Sequence, residues 1–171
     1  MATPHIPIAT FKQLWPVPAN PAVRGWALDH FLAGTIDQAD IRTNAPLKSL
    51  QPGGPPIADD GMVITVIASG VSVQPLDELP AITDADIVTK IVGRTTTMVL
   101  GHGNVDTPGG RRIFVSNGVF EVPDGYAKKP PARVRMRLDG PAPGAAELLT
   151  MDRLREASGA PLDPAQTKGS M

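Results

Sequence analysis

Three groups of residues have types and spacings that could do chemistry. Gly101-His102-Gly103-Asn104 sets a histidine between two glycines, where a base or a metal ligand could sit against backbone open to a ligand. Asp84 and Asp86 flank Ala85 at the head of an apolar run. On a strand they share a face, and two carboxylates there could hold a hard cation. Arg133, Arg135 and Arg137 alternate with Val134, Met136 and Leu138. Successive strand side chains point to opposite faces, so this run is basic on one side and apolar on the other.

The bland readings of the first two groups are the stronger ones. Gly101–Asn104 has no phosphate-loop lysine, and Asp106 occupies the third glycine position of a Gly-x-Gly-x-x-Gly motif, so the segment reads as a turn with His102 exposed. His5, His30 and His102 share no metal-ligand spacing. His30 falls on a helix, facing solvent or capping a neighbour. Asp84 and Asp86 read as a solvated strand start, and Asp59-Asp60 before Gly61 as turn residues. No nucleophile motif such as Gly-x-Ser-x-Gly is present. The expectation is a protein without catalytic residues, metal or cofactor.

The arginine stripe has three readings. It is first a solvated outer face that discourages edge-to-edge strand pairing. It is second a contact for anionic lipid headgroups. The third, nucleic-acid phosphate, is disfavoured by a net charge of −1 and by only four Phe, one Tyr and two Trp for base stacking.

At 171 residues the chain suits one domain with a real core. Nineteen prolines and seventeen glycines favour short strands and tight turns over a helical bundle. Cysteine is absent, which removes disulfides and thiolate chemistry. No apolar run approaches the roughly 20 residues that span a bilayer. Met1–Ile8 lacks the features of a signal peptide, so the chain taken alone reads as soluble and not exported.

Residues 1–19 read as an extended, Pro-rich lead-in anchored by Phe11, Leu14 and Trp15. Asn20 as N-cap and Pro21 at the first helical position start a helix. It presents Val23, Trp26, Ala27 and Phe31 on one face and stops at Gly34. Strands are expected over 35–45, 61–69, 71–75, 85–93, 95–101, 112–116, 119–122 and 132–138, with a proline- and glycine-rich loop over 47–61. Asp106–Gly110, Asn117-Gly118 and Asp124-Gly125 read as turns, the second as a hairpin turn. Gly144–Ala157 has helical periodicity, and 160–171 reads as a truncated tail.

The fold class is therefore mainly β: an antiparallel meander forming a twisted, curved sheet in residues 20–159, with one N-terminal and one C-terminal helix. Met62, Ile64, Val66 and Ala68, with Ile87 and Ile91, Met98 and Leu100, and Ile113 and Val115, give the strands one apolar face. Val63, Ile67, Val88 and Val92 would make the other face apolar too, as inside a sandwich.

The order of residues resembles the central region of YhdP-type members of the AsmA-like family. The likeness runs through Leu14-Trp15-Pro16-Val17, Arg24-Gly25-Trp26, Gly34-Thr35-Ile36 and the loop Pro52–Pro56. It continues through Leu79–Ala85, Gly93-Arg94-Thr95, Ser116–Asp124, Pro131–Val134 and Leu162–Ala165, covering nearly the whole chain. Such proteins are large, anchored in the inner membrane of Gram-negative bacteria, and cross the periplasm as a long β-groove thought to pass phospholipid acyl chains. The resemblance implies a fragment of such an envelope protein on the periplasmic side of that membrane. Its partners would be phospholipid acyl chains and neighbouring β-segments, not nucleic acid. The inward apolar set read from the alternation would line that groove: Met62, Ile64, Val66, Ile87, Ile91, Met98, Leu100, Val134, Met136 and Leu138, with ordinary core packing beneath the helices as the alternative for each. The rival expectation is a structural or assembly β-sandwich, virion or envelope scaffold, with no lipid site. A small β-barrel enzyme or ligand binder would need a polar cluster in a cavity, and the sequence offers none.

Overall fold

The computed structural model describes residues 5–14, 21–51, 53–55, 57–59, 61–75, 78–127 and 131–151. Seven antiparallel strands form one open meander in chain order: β1 (Ile6–Pro7), β2 (Phe31–Thr43), β3 (Met62–Val73), β4 (Ile82–Val92), β5 (Thr95–Asp106), β6 (Arg112–Val122) and β7 (Arg133–Asp139). Helices α1 (Ile8–Leu14) and α2 (Pro21–His30) lie near the N-terminus, and α3 (Ala142–Thr150) follows β7. The mainly β meander expected from the sequence is the fold observed. Asn20 and the 160–171 tail lie outside the described residues.

The lead-in is not extended throughout. Pro7 closes β1, and the proline-free stretch after it forms α1, burying Ile8 and packing Phe11 on the core. Residues three apart share a helix face, so this pair supplies a complete apolar stripe for a two-turn helix. Lys12 Nζ donates to the Leu28 carbonyl at 2.5 Å, tying α1 to α2. Helix α2 buries Val23 and Ala27 and ends at His30, because Phe31 already pairs with Val73 as the first residue of β2. Gly34 is thus not a helix stop. It lies within β2 at φ 133°, where an added Cβ would come within 2.9 Å of the Val71 Cα.

Three more expectations fail in one way. Val71–Val73 belongs to β3, Gly101–Asn104 lies inside β5, and Asn117-Gly118 lies inside β6. None is a chain reversal. At each, the buried parity slips by one: Ala68 to Val71 in β3, Leu100 to Val105 across Gly103 in β5, and Val115 to Val122 across Gly118 in β6. In β4 the slip falls at Asp84, from Ile82 to Ala85. Gly70 (φ 57°), Asp84 (φ 52°) and Asn117 (φ 50°) take the left-handed backbone that such irregularities need. The irregularities in adjacent strands lie near one another, since Val71 pairs with Ala85 and Leu100 with Gly118. The register shifts at this row between β3 and β4 and between β6 and β7, while β4–β5 and β5–β6 keep one register. Bulges bend strands and sharpen their twist, so the row creases the sheet. Either side of the crease, the apolar side chains stay on the inner face.

The true reversal between β5 and β6 is at 107–111, where Thr107 N–H donates to the Arg111 carbonyl at 2.8 Å and Gly110 N–H to the Thr107 carbonyl at 2.9 Å. The inner-face core runs from Ile8 and Ile36 through Ile64, Val66, Ile87 and Ile91 to Ile113 and Leu148. The outer face has no second layer among the described residues. Val88 pairs with Ile67 and Val99, and Val88 and Val99 stay 42% and 43% exposed. Val63 and Ile67 are half-buried and Val92 exposed, so the sandwich interior is not observed.

Gly93 and Gly70 offer a stability test. Both have positive φ, but a Cβ on Gly93 would fall 2.4 Å from the Asp59 Cα, whereas Gly70 faces open space. Gly70→Ala is expected to lose about 1–2 kcal/mol, the left-handed penalty alone. Gly93→Ala is expected to lose clearly more, because backbone must also move. Thermal melts should separate them at roughly 2–4 °C per kcal/mol.

Candidate functional site

Three coverings lie on the inner face, and they leave a gap. Helices α1 and α2 cover the β2–β4 side, and the β2–β3 connection brings Ile57 into the same core. Helix α3 packs on the start of β6. A Cβ on Gly144 would come within 2.9 Å of Ile113 Cδ1, so glycine there allows the close approach. Between α2 and α3 runs a trough of about 350 Å³. Its floor is Ile87, Met98, Leu100 and Phe120, with Val134, Met136 and Leu138 along β7. Leu79 and Pro80 line one wall and Leu148 of α3 another. Gly118 keeps the floor low, since a Cβ there would meet Leu100 Cβ at 3.0 Å.

Trp26 divides the trough from the helix-covered core. It lines both the trough and a 40 Å³ void under α1 and α2. Its ring stacks on Phe120 with centroids 5.5 Å apart and on His30 at 4.9 Å, and meets Phe31 edge-on at 5.8 Å. Its indole N–H donates to the Pro75 carbonyl at 3.3 Å, which satisfies the one polar atom of the partition. His30 donates from Nδ1 to the Trp26 carbonyl at 2.8 Å, so it caps its own helix.

The ten groove residues read from the sequence divide in two. Ile87, Met98, Leu100, Val134, Met136 and Leu138 meet at the trough. Met62, Ile64, Val66 and Ile91 do not: they are 1–7% exposed, inside the packed core. They share the inner parity, but the helices and the β2–β3 connection seal their end of the sheet. On β7 the exposure is reversed. Val134 is 54% and Met136 41% exposed, because β7 is the last strand and α3 does not reach over them. Trp26, Leu79 and Pro80 belong to the site and escaped the strand-parity reading, which cannot place helix or loop residues over a sheet; Phe120, on β6, escaped because the parity slips at Gly118.

The polar candidates scatter. His102 Nδ1 lies 3.4 Å from Asp86 on the outer face, and His5 pairs with Asp37, which also accepts from Ser69. Asp84 is the bulge residue of β4, and Asp59 accepts from Arg94 at 2.8 Å. No group of three potential metal ligands occurs among the described residues, and no described helix is long and apolar enough to cross a membrane. Arg133, Arg135 and Arg137 lie on the outer side of β7, opposite in parity to the trough. Arg137 holds Asp139 through three hydrogen bonds, at 2.8, 2.9 and 3.1 Å, and lowers that carboxyl from its ordinary value. An all-apolar trough on a hydrogen-bonded sheet can accept hydrocarbon, because the strand polar groups are already paired in the ladder.

Helix α3 is latched at the trough's end by a charge. Glu147 accepts from the Gly109 N–H at 3.1 Å and pairs with Arg111. The Thr107 hydroxyl above all, then the Gly109 amide and Arg111, hold its carboxyl below the usual carboxylate value, against partial desolvation. Comparison with protein-family models, curated proteins and solved structures returns no match.

The latch predicts acid sensitivity. A carboxylate with a lowered folded pKa stabilises at pH above its unfolded value, about 4.3, and that contribution is lost as pH falls through the folded value. Amide-exchange protection in α3 is expected to fall below about pH 4 in the native chain. In Glu147→Gln it is expected to be lower already at neutral pH and to respond less to acid.

Proposed function

We propose that this chain is a β-groove segment of a YhdP-type AsmA-like envelope protein, holding phospholipid acyl chains in the trough and performing no bond chemistry. The observation that carries the reading is a trough lined by apolar side chains in which Val134 and Met136 remain half exposed. Its volume is within the roughly 300–1,000 Å³ of small-ligand sites. Val134 to Leu138 spans about 13 Å at ~3.3 Å per residue, the reach of an alkyl segment of about ten methylenes. Such a segment gains roughly 8 kcal/mol over water at ~0.8 per methylene. Association costs of about 4–15 kcal/mol offset most of that. A bilayer offers the same chain an equally apolar setting, so passage between bilayer and trough is close to neutral. That balance suits transient occupancy better than storage. The resemblance adds the place: the periplasmic side of the inner membrane of a Gram-negative bacterium, with neighbouring β-segments continuing the groove.

A structural β-module without a lipid site is the second reading, and the exposed Val88, Val99 and Phe114 of the outer face favour it, since a scaffold partner would cover them.

Two measurements separate these readings. Met136→Arg should abolish co-purified phospholipid in native mass spectrometry and leave the melting temperature within a few degrees, since the site is half exposed. Val66→Arg, in the sealed core, should unfold the chain. Lipid-free wild-type protein would favour the scaffold. In a Trp15→Phe background, phospholipid brominated along its acyl chain should quench Trp26 fluorescence. Unquenched emission with lipid bound would mean the chains lie elsewhere.

A further inference from the structure

The ligand's charge can be read at the rim of the same trough, an inference that rests on the acyl-chain reading above. β7 is the last strand of the sheet, and its far edge pairs with no strand among the described residues. Residues of both parities on such a strand are therefore within reach of one molecule lying over its edge. Val134 and Met136 face the trough, and Arg133 and Arg135 stand between and beside them on the other face.

The two arginines are also unlike the other outward arginines. Arg42, Arg94, Arg111, Arg112 and Arg137 each hold a carboxylate: Asp40, Asp59, Glu147, Asp106 and Asp139. Arg133 and Arg135 hold none among the described residues, and both are exposed. Alternate residues of a strand lie about 6.6 Å apart, so two like charges stand side by side. Glu121 lies opposite Arg133 in the β6–β7 register but closes no ion pair with it. A phosphate between them relieves that repulsion, and guanidinium groups suit it because their forked donors match phosphate oxygens two at a time. Their apolar stems can lie along the strand edge while the charged ends follow the headgroup.

We propose that the trough selects an anionic phospholipid, its acyl chain on Val134 and Met136 and its phosphate-bearing headgroup beside β7 on Arg133 and Arg135. Because the trough and a bilayer hold the acyl chain about equally well, the headgroup contact decides which lipid is retained.

The test loads the full chain from vesicles of phosphatidylglycerol or of phosphatidylcholine with identical acyl chains, and reads bound lipid by native mass spectrometry. Wild type should prefer phosphatidylglycerol by roughly ten- to thirtyfold, the effect of two arginines beside an anionic headgroup. Arg133→Gln/Arg135→Gln should load both lipids equally, with phosphatidylcholine loading unchanged, and Arg133→Lys/Arg135→Lys should keep most of the preference. Equal loading by wild type, or a preference that survives in the double Gln variant, overturns the headgroup assignment and leaves the trough standing. Complete displacement of phosphatidylglycerol by excess inorganic phosphate also overturns it, by making the arginines a free-anion site. If wild type loads neither lipid, the acyl-chain reading itself fails.

Discussion

The structure depends on one mismatch: a long sheet with a continuous apolar inner face and too few helices to cover it. Strands β3 to β6 run eleven or twelve residues each. The described helices have seven, ten and nine. A helix advances about 1.5 Å per residue and a strand about 3.3 Å, so these helices are far shorter than the strands they lie on. Helices α1 and α2 seal one end over Ile64, Val66 and Ile91, and α3 closes on Ile113. What remains between them is the trough. Contiguous open apolar surface of that kind is uncommon on monomeric domains.

Aromatic stacking sets the boundary between sealed and open. Trp26 stacks on both Phe120 and His30, and its indole N–H is satisfied by Pro75. Offset and edge-on aromatic contacts add about 0.5–1.5 kcal/mol each beyond area burial. The partition is thus a fixed wall, and it hands Ile87 and Met98, which line the cavities on both sides of it, to core and trough alike. The electrostatics are peripheral by comparison. Most of the ion pairs join exposed groups, whose net contribution is small. Arg111–Glu147 differs in what it holds, because it anchors α3 at the trough's end.

The crease explains why the turn signals misled. Gly101-His102-Gly103 and Asn117-Gly118 are good hairpin residues by type, because glycine and asparagine tolerate left-handed backbone. Asn117 uses that conformation inside β6, at φ 50°, whereas Gly101 and Gly103 have no positive φ inside β5. Residue type therefore marks a backbone irregularity without saying whether the chain reverses there. The difference lies in strand partners: β5 pairs with β6 on both sides of the irregularity, from Asp106–Arg112 to Thr96–Val122, and keeps one register throughout. Eight short expected strands became fewer long ones for that reason. The lead-in failed differently. Prolines at 4, 7, 16 and 18 suggested extended chain, but the proline-free interval between them holds Ile8 and Phe11 one helical face apart.

Local sequence determined the alternation, and with it the β class, the meander, the two-faced character of β7 and the shared parity of the groove residues within each strand; Val63, Ile67, Val88 and Val92 left open which face is the inner one. Alternation is a property of neighbours along the chain, and the pleat converts it directly into faces. Which part of the inner face is open was decided only in three dimensions. Met62, Ile64, Val66 and Ile91 have the same parity as Met98 and Leu100, and differ only in lying beneath α1, α2 and the β2–β3 connection. Coverage depends on where a helix lands on a creased sheet, which is set by contacts between residues far apart in the chain, such as Trp26 with Phe120 and Glu147 with Gly109. No short-range pattern carries that information.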